Sequence, residues 1–117
     1  MNKMMKYPVK TDKDIWAKFS ENCAEDRDIS MNYRLNAWIN HFVNEIGFPD
    51  AIAEAARGKK TEFKGRISTY LLKVDTETWN AFKSRAASYD VSANLLLNEF
   101  IVYFNENGPF INVNIEV

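Results

Sequence analysis

The segment Tyr7–Phe19, YPVKTDKDIWAKF, returns as Tyr70–Phe82, YLLKVDTETWNAF, sixty-three residues later. Superposing the two pairs Tyr7 with Tyr70, Lys10 with Lys73, Asp12 with Asp75, Trp16 with Trp79 and Phe19 with Phe82. With one residue deleted near Asp28, the match continues as DISMNYRLNAWINHF against DVSANLLLNEFIVYF, which pairs Ser30 with Ser92, Asn32 with Asn94, Leu35 with Leu97, Asn36 with Asn98, Ile39 with Ile101 and Phe42 with Phe104. Agreement in spacing and residue character over some forty positions marks an internal repeat. The repeating unit therefore decides the fold.

Each copy opens on a period of two. Tyr7 and Val9 alternate with Lys6, Pro8 and Lys10, and Tyr70, Leu72 and Val74 alternate with Thr69, Leu71 and Lys73. That is the pattern of a strand with one face buried. Pro8 lacks a backbone donor and is tolerated only on a sheet edge, which a two-stranded ribbon supplies. Asp12 and Asp75 then stand where an N-cap is wanted. A first helix follows, with Trp16, Phe19 and Cys23, and again Trp79, Phe82 and Ala86, on its inward face. After a break at EDRDIS or SYDVS, Ser30 and Ser92 are the N-caps of a second helix, whose apolar face is Leu35, Trp38, Ile39 and Phe42 or Leu97, Phe100, Ile101 and Phe104. The unit is strand, helix, helix.

A chain of 117 residues supports one ordinary core, whereas two independent domains of about forty residues would each be marginal. The copies are expected to share that core. The organisation is a first repeat over 1–46, a linker with a short helix over 47–65, a second repeat over 66–108 and a strand-like tail over 109–117. Within the linker, FPDAIAEAARGKK has Pro49 suited to a first helical turn and Gly58 to a helix end. The stretch from Glu45 to Ile67, fully extended, reaches roughly 65 Å, enough for the copies to pair within one chain. The tail FINVNIEV alternates apolar Ile111, Val113, Ile115 and Val117 with polar residues, so it either covers part of the fold or pairs with another molecule.

Composition narrows the function classes. Hydrophobic residues make up 46% and aromatic residues 14% of the chain, a globular and not a disordered balance. Cys23 is the single cysteine, and no apolar run approaches the roughly 20 residues a membrane span needs. MNKMMKYPVK has no apolar core of a secretory signal, so a reducing cytoplasm is the expected compartment. The net charge is −1, but its distribution is uneven. Lys3, Lys6 and Lys10, then Arg57, Lys59, Lys60, Lys64, Arg66 and Lys73, are nine of the fifteen basic residues and lie in two short runs interrupted only by Glu62. The molecule is expected to be electrically two-sided, with its positive side suited to a polyanion. The aromatic stripes fall at core spacing, and His41 reads as a surface or boundary residue. The sequence contains no metal-ligand cluster, no glycine-rich phosphate loop and no nucleophile–base–acid set. A catalytic role and a cofactor are not expected.

This strand, helix, turn and helix entered by S-x-N resembles the ribbon-helix-helix proteins, the Arc/MetJ superfamily. The resemblance rests on the two segments beginning at Tyr7 and Tyr70 and covers about two-thirds of the chain. It implies a mainly α fold with a short β-ribbon, in which two fused ribbon-helix-helix repeats form an intramolecular pseudo-dimer. Two copies in one chain are similar to the TraY type of conjugation protein. The implied partner is double-stranded DNA, read in the major groove by the ribbon, and the implied role is that of a plasmid or phage transcriptional regulator or a relaxosome accessory factor. Carried over, the base-contacting positions are Lys6, Pro8, Lys10, Thr69, Leu71 and Lys73. The phosphate-contacting positions are Ser30, Asn32, Ser92 and Asn94 at the second-helix starts, where free amides favour an anion, with Lys3, Lys64 and Arg66 from the basic runs. Pro8 and Leu71 depart from the polar pattern of reading residues. Two other readings remain open on the residues: an antitoxin or antirepressor whose tail captures a protein partner, and a structural or interaction protein that keeps the helical core without DNA binding.

Overall fold

The structure, a computed structural model, describes residues 3–25, 30–46 and 49–107. The chain runs β1 (Met4–Asp12), α1 (Lys13–Glu25), α2 (Met31–Val43), α3 (Pro49–Ala55), β2 (Ile67–Asp75), α4 (Thr76–Ser88) and α5 (Ala93–Asn107). It is mainly helical, with one two-stranded antiparallel sheet. The tail expected to form a strand lies outside the described residues.

The two strands pair over their whole length, from Met4 opposite Asp75 to Asp12 opposite Ile67. In this register Pro8 faces Leu71, its own counterpart in the sequence repeat. Both strands carry the same burial sequence, position by position. Val9 and Thr11, and likewise Leu72 and Val74, are buried beneath the sheet, whereas Lys6, Pro8, Lys10, Thr69, Leu71 and Lys73 are exposed above it. The alternation read from the sequence is thus in the right phase; a slip of one residue would have turned every one of these side chains over. Two further backbone bonds continue the pairing past the strand ends, Thr76 N to Lys3 O at 2.8 Å and Lys13 N to Arg66 O at 2.7 Å.

Helix order and packing follow from the apolar stripes. Leu35, Trp38, Ile39 and Phe42 of α2 and Leu97, Phe100, Ile101 and Phe104 of α5 are all buried, and they make up the centre of the core. The first helix of each repeat packs chiefly on the second helix of the other, α1 on α5 and α4 on α2. Aromatic contacts cross in the same sense. Tyr7 meets Trp79 with ring centroids 4.3 Å apart, and Tyr70 meets Trp16 at 4.8 Å. Burial raises the pKa of both tyrosine hydroxyls above the usual value.

Several details differ between the repeats. Trp79 is fully buried but Trp16 is only half-buried. Arg34 occupies the position matched by Leu96 in the second repeat and is itself buried, its guanidinium 5.0 Å from the centroid of the Phe104 ring. Asp75 caps α4, accepting from Thr78 N at 3.0 Å. Asp12 holds the corresponding place before α1, yet its Oδ1 accepts from the amides of Lys64 and Gly65 at 3.0 and 3.2 Å. The returning linker passes that strand end and presents two unpaired donors, which take the carboxylate.

The linker does more than span a gap. Pro49 opens α3 as expected, and Gly58 closes the following turn with a positive φ of 77°, a conformation that favours glycine. Ile52, Ala53 and Ala56 are buried against α2 and α5, so the linker contributes to the core. Arg85 fixes this corner. Its guanidinium donates to Phe42 O at 2.9 Å and to Asp50 Oδ1 at 2.6 Å, and lies 4.5 Å from the Phe42 ring centroid. The Asp50 bond holds the Arg85 pKa above its ordinary value. Among the described residues, no helix is long and apolar enough to cross a membrane.

Candidate nucleic-acid interface

The outer face of the ribbon brings all six expected reading residues together in three cross-strand pairs: Lys6 with Lys73, Pro8 with Leu71, and Lys10 with Thr69. All six are exposed. Facing residues in an antiparallel pair share one side of the sheet, so the face presents three amines, one hydroxyl and a central apolar pair. Met4 and Ile67 extend it at opposite ends of the ribbon. Leu71 is 54% exposed, which gives this central position substantial apolar surface in water.

Lys3 and Arg66 are repeat counterparts, and each precedes a strand. They sit at the two ends of the ribbon, beside the first turns of α4 and α1 respectively, where their carbonyls take the Thr76 and Lys13 amides. Lys64 lies next to Arg66 on the loop drawn in by Asp12. Two members of the second basic run are otherwise engaged. Arg57 pairs with Glu54 at 2.5 Å and Lys59 with Glu99 at 2.9 Å. The Glu54 carboxyl is accordingly held below the usual carboxylate range by its bond to Arg57. The positive charge available at the ribbon is therefore narrower than the sequence run suggested, resting on Lys3, Lys6, Lys10, Lys64, Arg66 and Lys73.

At the second-helix starts, the serines and asparagines have distinct positions. Ser30 Oγ accepts from Tyr33 N at 3.0 Å and Ser92 Oγ from Leu95 N at 3.1 Å, so both serines cap their helices. Asn32 and Asn94 reach sideways to the ribbon. Asn32 Oδ1 accepts from the amide of Lys73 at 2.8 Å, and Asn94 Oδ1 from the amide of Lys10 at 2.9 Å. One turn on, Asn36 donates to Lys73 O at 2.8 Å and Asn98 to Lys10 O at 2.8 Å, with Asn94 adding a bond to the same carbonyl at 3.1 Å.

The outer edge of each strand is thus closed by an N-x-x-x-N pair from a second helix, at the lysine common to both repeats. An edge strand otherwise leaves such donors and acceptors open to foreign strands. The expectation of phosphate contact at Asn32 and Asn94 did not anticipate this bonding, and Asn36 and Asn98 were absent from the expected site. The signal was present in the sequence, because the four-residue spacing of the asparagines is kept in both copies while Tyr33 and Arg34 between them change to Leu95 and Leu96.

Each serine cap, asparagine pair and outward lysine forms one connected unit. A helix start, where amides and the positive end of the helix dipole favour an anion, is joined by two or more hydrogen bonds to the backbone of an outward lysine. No family model, curated protein or solved structure matches the chain.

Proposed function

We propose that the chain is a sequence-specific double-stranded DNA-binding protein whose ribbon enters the major groove. Its two ribbon-helix-helix repeats act as an intramolecular pseudo-dimer, with Pro8 and Leu71 flanking the pseudo-two-fold axis. The observation that carries this reading is the outer face itself: Lys6, Lys10 and Lys73 stand exposed with Thr69 on a two-stranded ribbon whose opposite face is sealed by the core. A two-stranded ribbon fits the width of the B-form major groove, and lysine amines donate to guanine O6 and N7 or to phosphates. The crossed packing of α1 on α5 and α4 on α2 supports the pseudo-dimer, since each repeat then needs the other to cover its apolar faces. In a cell this activity serves a plasmid or phage transcriptional regulator or an accessory factor at a transfer origin.

The test is a salt titration of duplex binding. Neutralising about four to eight phosphates gives a log–log slope of roughly −3 to −7. An affinity that hardly changes between low and moderate salt refutes the proposal, because the basic side chains would then not be meeting phosphates.

A further inference from the structure

Met4, Ile67 and Leu71, three of the five large apolar side chains most exposed among the described residues, all lie on the outer face of the ribbon, at 63%, 52% and 54% exposure. An antiparallel sheet with one buried face ordinarily turns polar residues to water, so an apolar group at its exposed centre calls for a partner. Leu71 stands at that centre opposite Pro8, with Lys6–Lys73 on one side and Lys10–Thr69 on the other. The alternation of the ladder makes this a pair whose backbone groups point away from each other, as the outward-bonded amide and carbonyl of Lys10, two residues on, indicate. Strands approach more closely at such pairs, to about 4.5 Å between Cα atoms. The missing amide of Pro8 leaves no broken ladder bond there, and the two side chains make one continuous apolar surface.

Neither group donates or accepts a hydrogen bond. Laid on a guanine or cytosine edge, they would strip water from N7, O6 or N4 and return nothing, which is penalised. The major groove offers one apolar group, the C5-methyl of thymine. Resting on the DNA reading above, we propose that Leu71 and Pro8 are specificity-determining residues that select thymine methyls at the centre of the bound site, by burial and not by hydrogen bonding. The flanking lysines then set the distance at which the apolar centre meets the groove floor.

The experiment uses the full chain and a duplex enriched from random sequence. Each central thymine is replaced in turn by uracil, which removes the methyl and leaves every hydrogen-bonding group in place. Wild-type affinity is expected to fall on the order of fourfold for each contacted methyl. Leu71→Ala is expected to bind thymine and uracil duplexes alike, and Leu71→Met to keep the preference. Because Leu71 is more than half exposed, these variants are expected to melt with the wild type, and Pro8→Ala provides a second, independent variant of the same surface. Duplex binding that is indifferent to uracil at every central position overturns this inference and leaves DNA binding standing. So does a full thymine preference surviving in both Leu71→Ala and Pro8→Ala. Failure of the wild type to bind any duplex at low salt overturns the proposed function itself, and this inference with it.

Discussion

The side-chain amide of Asn98 donates to the main-chain carbonyl of Lys10 across 2.8 Å, and its repeat counterpart Asn36 holds the carbonyl of Lys73 at the same distance. These bonds tie the middle of the helical core to the two outward positions where both repeats keep a lysine. An outward side chain on a free strand edge would move with a fraying ribbon. Here the outward amide and carbonyl of each lysine are both held by an asparagine pair, and the residues on either side of it are held by the partner strand.

The companion bonds to Lys10 N and Lys73 N give a crossed prediction for amide exchange. Asn94→Ala is expected to accelerate exchange of the Lys10 amide and leave Lys73 protected, and Asn32→Ala to do the reverse. Asn32→Ala removes one of these bonds and should lower stability by about 1 kcal/mol, the usual net worth of one hydrogen bond, whereas Asn94→Ala removes two and should cost more. Residue-resolved hydrogen exchange by NMR checks it. Equal acceleration at both lysines would mean that the substitutions loosen the whole ribbon and that the pairs do not act separately.

Lysine and tryptophan variants should separate binding from folding. Lys10→Ala and Lys73→Ala are expected to weaken duplex binding with little change in melting temperature, since both side chains project from the outer face. Trp79→Ala removes a ring that is 2% exposed and packed on Tyr7 and Phe82, and is expected to cost about 3–5 kcal/mol. Trp16→Ala should cost less, because its ring is only half-buried. Thermal melts and duplex affinities of the four variants decide the matter. Unfolding in the lysine variants would contradict the strand register.

Much of this was legible in the sequence, for physical reasons that differ by element. Strand phase and the inward helix faces follow from periodicity, and Leu35, Trp38, Ile39 and Phe42 lie in the core as the three-and-four spacing requires. What periodicity does not carry is the destination of a polar side chain. Asp12 and Asp75 occupy the same place in the repeat, yet the Asp75 carboxylate caps its helix whereas that of Asp12 binds the amides of the returning linker. Arg57 and Lys59 read as part of a basic run because their acidic partners, Glu54 and Glu99, come from a neighbouring turn and from a distant helix. The asparagine pairs escaped for the same reason: Asn98 and Lys10 are eighty-eight residues apart. The linker helix was expected as a connector, and only its packing shows Ile52, Ala53 and Ala56 entering the core.

Crossed packing also predicts how the chain responds to cleavage. With α1 resting on α5 and α4 on α2, a cut near Gly58 leaves each fragment with its apolar helix faces uncovered. Residues 1–57 and 58–117 are expected to be unstable apart and to regain structure when mixed, with a midpoint that depends on concentration. Circular dichroism of the fragments alone and combined measures this. A stable monomer of residues 1–57 with sharp side-chain NMR signals would show that the first repeat has a sufficient core of its own.

The last prediction concerns the direction of binding. The register sets Lys6 beside Lys73 at one side of the central Pro8–Leu71 pair and Lys10 beside Thr69 at the other. In a dimer of identical subunits the two sides would be equal and the preferred site palindromic, mirroring the protein. Here one side offers two amines and the other an amine and a hydroxyl, because the repeat counterpart of Lys6 is Thr69. Two amines favour the O6 and N7 acceptors of guanine, whereas a threonine hydroxyl pairs with several base edges and its methyl contacts thymine. The selected site is therefore expected to be non-palindromic, richer in guanine under the double-lysine side, and bound in one orientation. Thr69→Lys makes the two sides alike and should shift the consensus towards a palindrome without changing the fold, since position 69 is exposed. Selection from random duplexes with both proteins is the measurement. A strictly palindromic consensus for the wild type would count against both the single-chain pairing and the reading residues, and an unchanged consensus for Thr69→Lys would remove Thr69 from the reading face.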